Sequence, residues 1–187
     1  MKLFFLLLLV QANSIFAQGG DELPAISVNN KDFFIPPSIC KKYKLESGQA
    51  DDLMKVYNNL AEDATIQRVN DIRWQAKDKA EAEQWYKDNT SLLGEKAEDI
   101  TSQLPKPPGV DNWNVYGQSK EMKEMMKSLG VEQNHYNFTF TVDQYVAKIF
   151  VATSGKQTLK DAWQLAKEGL KATLKAAGKP KIADLVL

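Results

Sequence analysis

The chain is predicted to fold as an α+β domain, an antiparallel sheet of about three to five strands with helices packed on one face. Three observations lead there. Phe138, Phe140 and Val142 alternate with Asn137, Thr139 and Thr141, and after Asp143-Gln144 a second run of β-branched and aromatic residues spans Tyr145 to Val151. Two such runs across a short polar turn are the arms of a β-hairpin. Leu159, Ala162, Trp163, Ala166, Leu170 and Leu174 then follow one helical face. Further upstream, Ile72, Trp74 and Ala76 alternate with Asp71, Arg73 and Gln75, the pattern of a half-buried strand.

In chain order, the first element is an address. Lys2 precedes an unbroken apolar run over residues 3–10, and Ile15-Phe16-Ala17 ends in the small residue a signal peptidase requires. The run is much shorter than the roughly 20 residues that span a bilayer, so residues 1–17 are expected to be a cleaved export signal. Cleavage is expected between Ala17 and Gln18. The nearest cysteine is Cys40, too far downstream for lipid attachment. The product is expected to be soluble, and periplasmic or extracellular.

Residues 18–37 form a polar leader with Pro24, Pro36 and Pro37 around Phe33-Phe34-Ile35. The folded domain is expected over residues 38–187. Pro37 suits the first turn of a short helix carrying Ile39, Cys40 and Tyr43. In residues 50–61, Leu53, Val56, Tyr57 and Leu60 take the spacing of one helical face, so a helix is expected. The strand ending at Ala76 follows, and then a helix capped by Asp78 with Ala82, Trp85 and Tyr86 on one side. Gly94 interrupts it. Residues 101–112 hold three prolines and read as a loop, followed by a short strand over Trp113–Tyr116. Ser119 caps a compact helix with Met122, Met125, Met126 and Leu129 on one face, ended by Gly130. In the last helix Thr158 and Asp161 stand at capping-box spacing, Gly169 interrupts the interior at a cost of about 1 kcal/mol, and Gly178 with Pro180 ends it. Ile182 to Leu187 is apolar enough to pack back as a strand or to trail.

From Ala64 onward, about two thirds of the chain, this order resembles the small ferredoxin-like or split α+β modules of exported bacterial proteins. There a hairpin such as Asn137–Val151 leads into a long closing helix such as Gln157–Ala177. The resemblance lies in element order and brings no functional residue with it.

Composition excludes more than it selects. With 24 basic and 24 acidic side chains in 187 residues, removing Lys2 leaves 23 against 24. A chain so balanced has no basic footprint for nucleic acid or an anionic membrane. The single cysteine precludes an internal disulfide, and Cys40 is read as a small apolar core residue with no base beside it in sequence.

Candidate chemistries are few. A zinc site needs four ligands, mostly Cys and His, and the chain has one of each. Glu132 and His135 form one Glu-x-x-His, but beyond Gly130 and off the helix that would align them, so His135 is read as a surface turn residue. The pairs Asp51-Asp52, Glu62-Asp63 and Glu81/Glu83 do not converge on a helix. Ser154-Gly155-Lys156 lacks the first glycine and the terminal Ser/Thr of a phosphate loop and reads as a turn. Sequons stand at Asn89 and Asn137. No catalytic residue, metal site or cofactor is assigned.

Two features suit binding. Met122, Met125 and Met126 are read first as core, and alternatively as a groove for an apolar ligand or partner segment. Trp74, Trp85 and Trp163 fall on inward faces, whereas Trp113, between Asn112 and Asn114, is expected to be partly exposed, as suits a glycan or a protein hot spot. The expected function is therefore a non-enzymatic exported module that binds a protein partner or a small apolar or glycan ligand through Trp113, Asn112, Asn114, Met122, Met125 and Met126. The alternatives are a hydrolase whose site only the fold assembles, and an envelope-associated structural protein.

Overall fold

A computed structural model describes residues 35–50, 54–59, 61, 64–91, 97–155 and 158–186. The export signal and nearly all of the leader lie outside them. Seven strands form one sheet: β1 (Glu46–Ala50), β2 (Met54–Asn58), β3 (Ile66–Gln75), β4 (Ala97–Asp99), β5 (Asn112–Gln118), β6 (Gln133–Val142) and β7 (Tyr145–Ser154). Their spatial order is β1-β2-β3-β7-β6-β5-β4, and every neighbouring pair is antiparallel. The α+β class holds, and the sheet is larger than the three to five strands expected.

The helices are α1 (Pro37–Lys42), α2 (Lys79–Ser91), α3 (Lys120–Ser128), α4 (Leu159–Ala176) and α5 (Pro180–Ala183), with a 3-10 turn at Thr101–Gln103. Each start signal acts locally. Asp78 Oδ1 accepts from the Glu81 N–H at 2.9 Å, Ser119 Oγ from the Met122 N–H at 3.2 Å, and the Asp161 carboxylate from the Thr158 N–H at 2.8 Å. Gly130 and Gly178 take φ of 72° and 71°, the left-handed conformation that ends a helix. The hairpin closes with Val142 opposite Tyr145, and Asp143 supplies φ of 52°.

Three expectations are corrected. Within residues 50–61, Leu53 and Leu60 lie outside the described residues, and the described ones are not a helix: Ala50 ends β1 and Met54–Asn58 are β2. Tyr57 pairs with Val69 and Val56 with Asn70, so consecutive apolar residues point to opposite faces of a strand. Ladder partners on β1 and β3 select this conformation, which the helical spacing alone could not exclude. The helices do not all lie on one face: α4 packs on β6 and β7 over Phe138, Phe140, Ile149 and Val151, while α2 covers the opposite face through a smaller cluster. That cluster joins Trp74, Ala76, Ala82 and Val146, with Trp85 edge-on to Trp74 at 4.0 Å. Ile182 to Val186 forms no strand; α5 tucks Ala183 and Val186 into the main core. The seven antiparallel strands and two covered faces also exceed the ferredoxin-like plan that the element order resembles.

Strand β3 is consequently buried on both sides. Ile72 and Trp74 meet α2, and the alternate residues Asp71 and Arg73, both fully buried, lie beneath α4. Arg73 Nε and Nη2 donate to the two Asp71 oxygens at 2.6 and 2.8 Å, and Nη1 donates to the Gly169 carbonyl at 2.7 Å and to Thr173 Oγ1 at 3.2 Å. The Ile35 N–H donates to Asp71 Oδ2 at 3.0 Å, which ties the entry of the chain to the same pair. A charge pair this dry persists only because each polar atom is answered.

Candidate functional site

At the end of the sheet where β5 passes through α3 into β6, and β7 into α4, lies a groove of about 890 Å³. Its floor is Gly117 and Tyr136, paired across β5 and β6. Leu159 and Trp163 of α4 form one wall, and Ile100, Leu104 and Pro105 around the 3-10 turn form the other. Gly117 sits where strand and turn meet most closely: a Cβ there would stand 3.2 Å from Ile100 Cδ1. Polar side chains make the rim, chiefly Gln103, Asn134 and Gln164, with Glu98, Lys123 and Lys160 supplying charge. Lys123 and Glu98 approach to 3.9 Å with both side chains about half exposed, a pairing worth little in water.

Gln118, at the end of β5 beside the groove, has an unusual balance of hydrogen bonds. It is 5% exposed, its Oε1 accepts from the His135 N–H at 3.2 Å, and its Nε2 is buried without a partner. The backbone donor fixes which end of the amide is oxygen, so the unanswered atom is a donor.

The residues singled out in the sequence fall elsewhere. Trp113 is not a surface ring: it is 9% exposed and packs edge-on to Trp163 at 5.3 Å and against Phe138 at 6.4 Å. The two-residue period of β5 puts its neighbours Asn112 and Asn114 on the other face, where Asn112 Nδ2 donates to Thr141 Oγ1 and Asn114 is buried. Trp113 and its flanking amides therefore cannot present one surface. The methionine helix departs from its core reading as well: α3 buries no residue, Met122 and Met126 are half-buried, and Met125 and Leu129 are 45% and 50% exposed. Helix α3 touches the groove through Lys123, not through its methionines.

His135 is a strand residue, not a surface turn. Its ring lies edge-on to Phe150 at 5.2 Å, and burial pushes its pKa down to about 4, so it is neutral at ordinary pH. Phe150 alternates with Ile149 and Val151, so it faces away from α4 and does not meet Trp163. Cys40 packs half-buried on the main core, on the α4 side of the sheet from which the His135 ring is turned away. Burial and the nearby Asp71 raise the thiol pKa, the opposite of what a nucleophile needs. Lys148, at the centre of β7 between Ile72 and Thr139, was not marked by sequence; burial lowers its pKa to about 8. Among the described residues no three His, Cys, Asp or Glu side chains gather to hold a metal ion, and no helix is long and apolar enough to cross a membrane.

Comparison with protein-family models and with curated proteins finds no match for this chain.

Proposed function

We propose that this chain is an exported, non-enzymatic binding module that takes a small ligand with an apolar body into the groove beside Trp163. The groove itself carries this reading. Its walls of Leu159, Trp163, Ile100, Leu104 and Pro105 offer apolar contact, and its amide rim can orient a polar end, the usual division of labour in a small-molecule site. The described acid–base candidates do not converge: the His135 ring turns to Phe150, and Cys40 sits in the core on the other side of the sheet. Binding without chemistry is thus the better-supported activity.

The test uses a neutral apolar dye, N-phenylnaphthylamine, whose fluorescence rises on leaving water. Saturable binding to the intact protein is expected, with tryptophan emission changing in step. Gly117→Val adds bulk at the floor and forces it against Ile100, so either side chain then intrudes on the groove. Dye affinity should fall about tenfold, the order expected when one well-packed contact is lost, at a nearly unchanged thermal midpoint. Equal affinity in the variant would place the dye elsewhere and remove the groove as the site.

A further inference from the structure

We propose that the helical layer formed by α1 and α4 is a docking surface for an anionic lipid bilayer. This surface lies apart from the groove and does not depend on it. Charge is balanced over the whole chain but not over the fold. Residues 35–44 and 159–186 hold nine lysines and three carboxylate side chains, which leaves 15 basic and 21 acidic side chains for the rest of the chain. None of the nine lysines is buried. On α4, Lys160, Lys167, Lys171 and Lys175 fall within about 80° of one another around the helix axis, opposite the buried Ala162, Ala166 and Thr173. They form a ridge that points away from the sheet. Lys167, Lys171 and Lys175 stand at successive i, i+4 positions, where like charges weaken a helix. Among the described residues, only Lys171 of the four has a carboxylate partner, Glu168 at 3.3 Å. Asp161 is taken by the Thr158 N–H and hydroxyl, both at 2.8 Å.

Helix α1 extends the charge sideways. Ile39, Cys40 and Tyr43 pack on the main core, on the α4 side of the sheet, and Lys41, Lys42 and Lys44 are exposed. The lysines are thus spread over two helices of one layer, an area and not a line. A linear polyanion follows one ridge, whereas a planar anionic surface engages both helices at once. The layer has no arginine for bidentate contact with a fixed phosphate, and the ridge carries no aromatic ring on which bases stack. Lysine, a hydrated point charge on a flexible stem, suits lipid headgroups that shift laterally.

Sedimentation with lipid vesicles tests this on the exported protein as recovered. It should bind vesicles of equal parts phosphatidylglycerol and phosphatidylcholine in dilute buffer and ignore pure phosphatidylcholine. Salt at about 1 M, where the screening length shrinks to about 3 Å, should release it. Lys167→Gln with Lys175→Gln should weaken binding about 25-fold, from about fivefold per lysine at an anionic surface, and Lys41→Gln with Lys42→Gln should do the same. Lys77→Gln with Lys87→Gln, on the α2 side, should change nothing. The dependence of the unaltered protein on lipid charge and on salt decides the matter even if a variant does not fold. No binding to the anionic vesicles, equal binding to both kinds, or binding that survives high salt overturns the proposal. So does an effect confined to the α4 pair, or capture by dextran sulfate without vesicle binding, since either makes the partner a linear polyanion.

Discussion

At the scale of single residues, neighbours in sequence are separated by the strand that carries them. Asn112, Trp113 and Asn114 look like one polar-aromatic patch, but β5 turns the indole into the core and both amides to the far side. Trp113 and Trp163 thereby become partners, 5.3 Å apart and both nearly buried. Trp113→Ala and Trp163→Ala should each cost about 3–5 kcal/mol in chemical denaturation, the usual range for deleting a buried indole. Because the rings touch, the double variant should cost less than the two losses added together. A Trp113→Ala loss below about 1 kcal/mol would restore that ring to the surface. Trp163 was legible as core from its helical stripe. Trp113 was not, because polar neighbours in a strand say nothing about the residue between them.

At the scale of elements, α4 shows why a local rule can have the wrong sign. By propensity alone, Gly169→Ala should stabilise the helix by about 1 kcal/mol. In the folded chain a Cβ at 169 would overlap Ile149 Cδ1 and the Arg73 guanidinium, both buried, and Arg73 is tied to the Gly169 carbonyl at 2.7 Å. Gly169→Ala should therefore destabilise by about 1–3 kcal/mol, the cost of overpacking, as seen in the thermal or urea midpoint. A stabilised variant would mean that α4 moves away from β3 freely. Nothing in the sequence marked Arg73 as the reason for the glycine, since 96 residues separate them. The caps of α2, α3 and α4 were legible because each joins residues within one turn. Helix α3 shows the limit: its stripe predicted the helix, but not that nothing in it would be buried, with Met125 and Leu129 left exposed.

At the scale of the whole molecule, the proposed export route gives one clean expectation. Material recovered outside the cytoplasm should have an intact mass beginning at Gln18, since Ala17 closes the signal pattern. Retention of residues 1–17 in a membrane fraction would contradict it. By itself the sequence determined the α+β class, the β6–β7 hairpin, the second half of β3, the caps of three helices and the place of the long closing helix. These depend on hydrophobic period and on residues a few positions apart, which are written directly in the chain. Only the tertiary structure decided that Glu46–Ala50 and Met54–Asn58 pair as strands, that both sheet faces are covered, and that Asp71 and Arg73 lie in the core. The groove belongs to the same class. It joins the turn after β4, the floor strands β5 and β6, and the first turns of α4, segments that meet only in three dimensions. Burial on two faces and contact between distant segments are properties of the packed chain, and no local pattern encodes them.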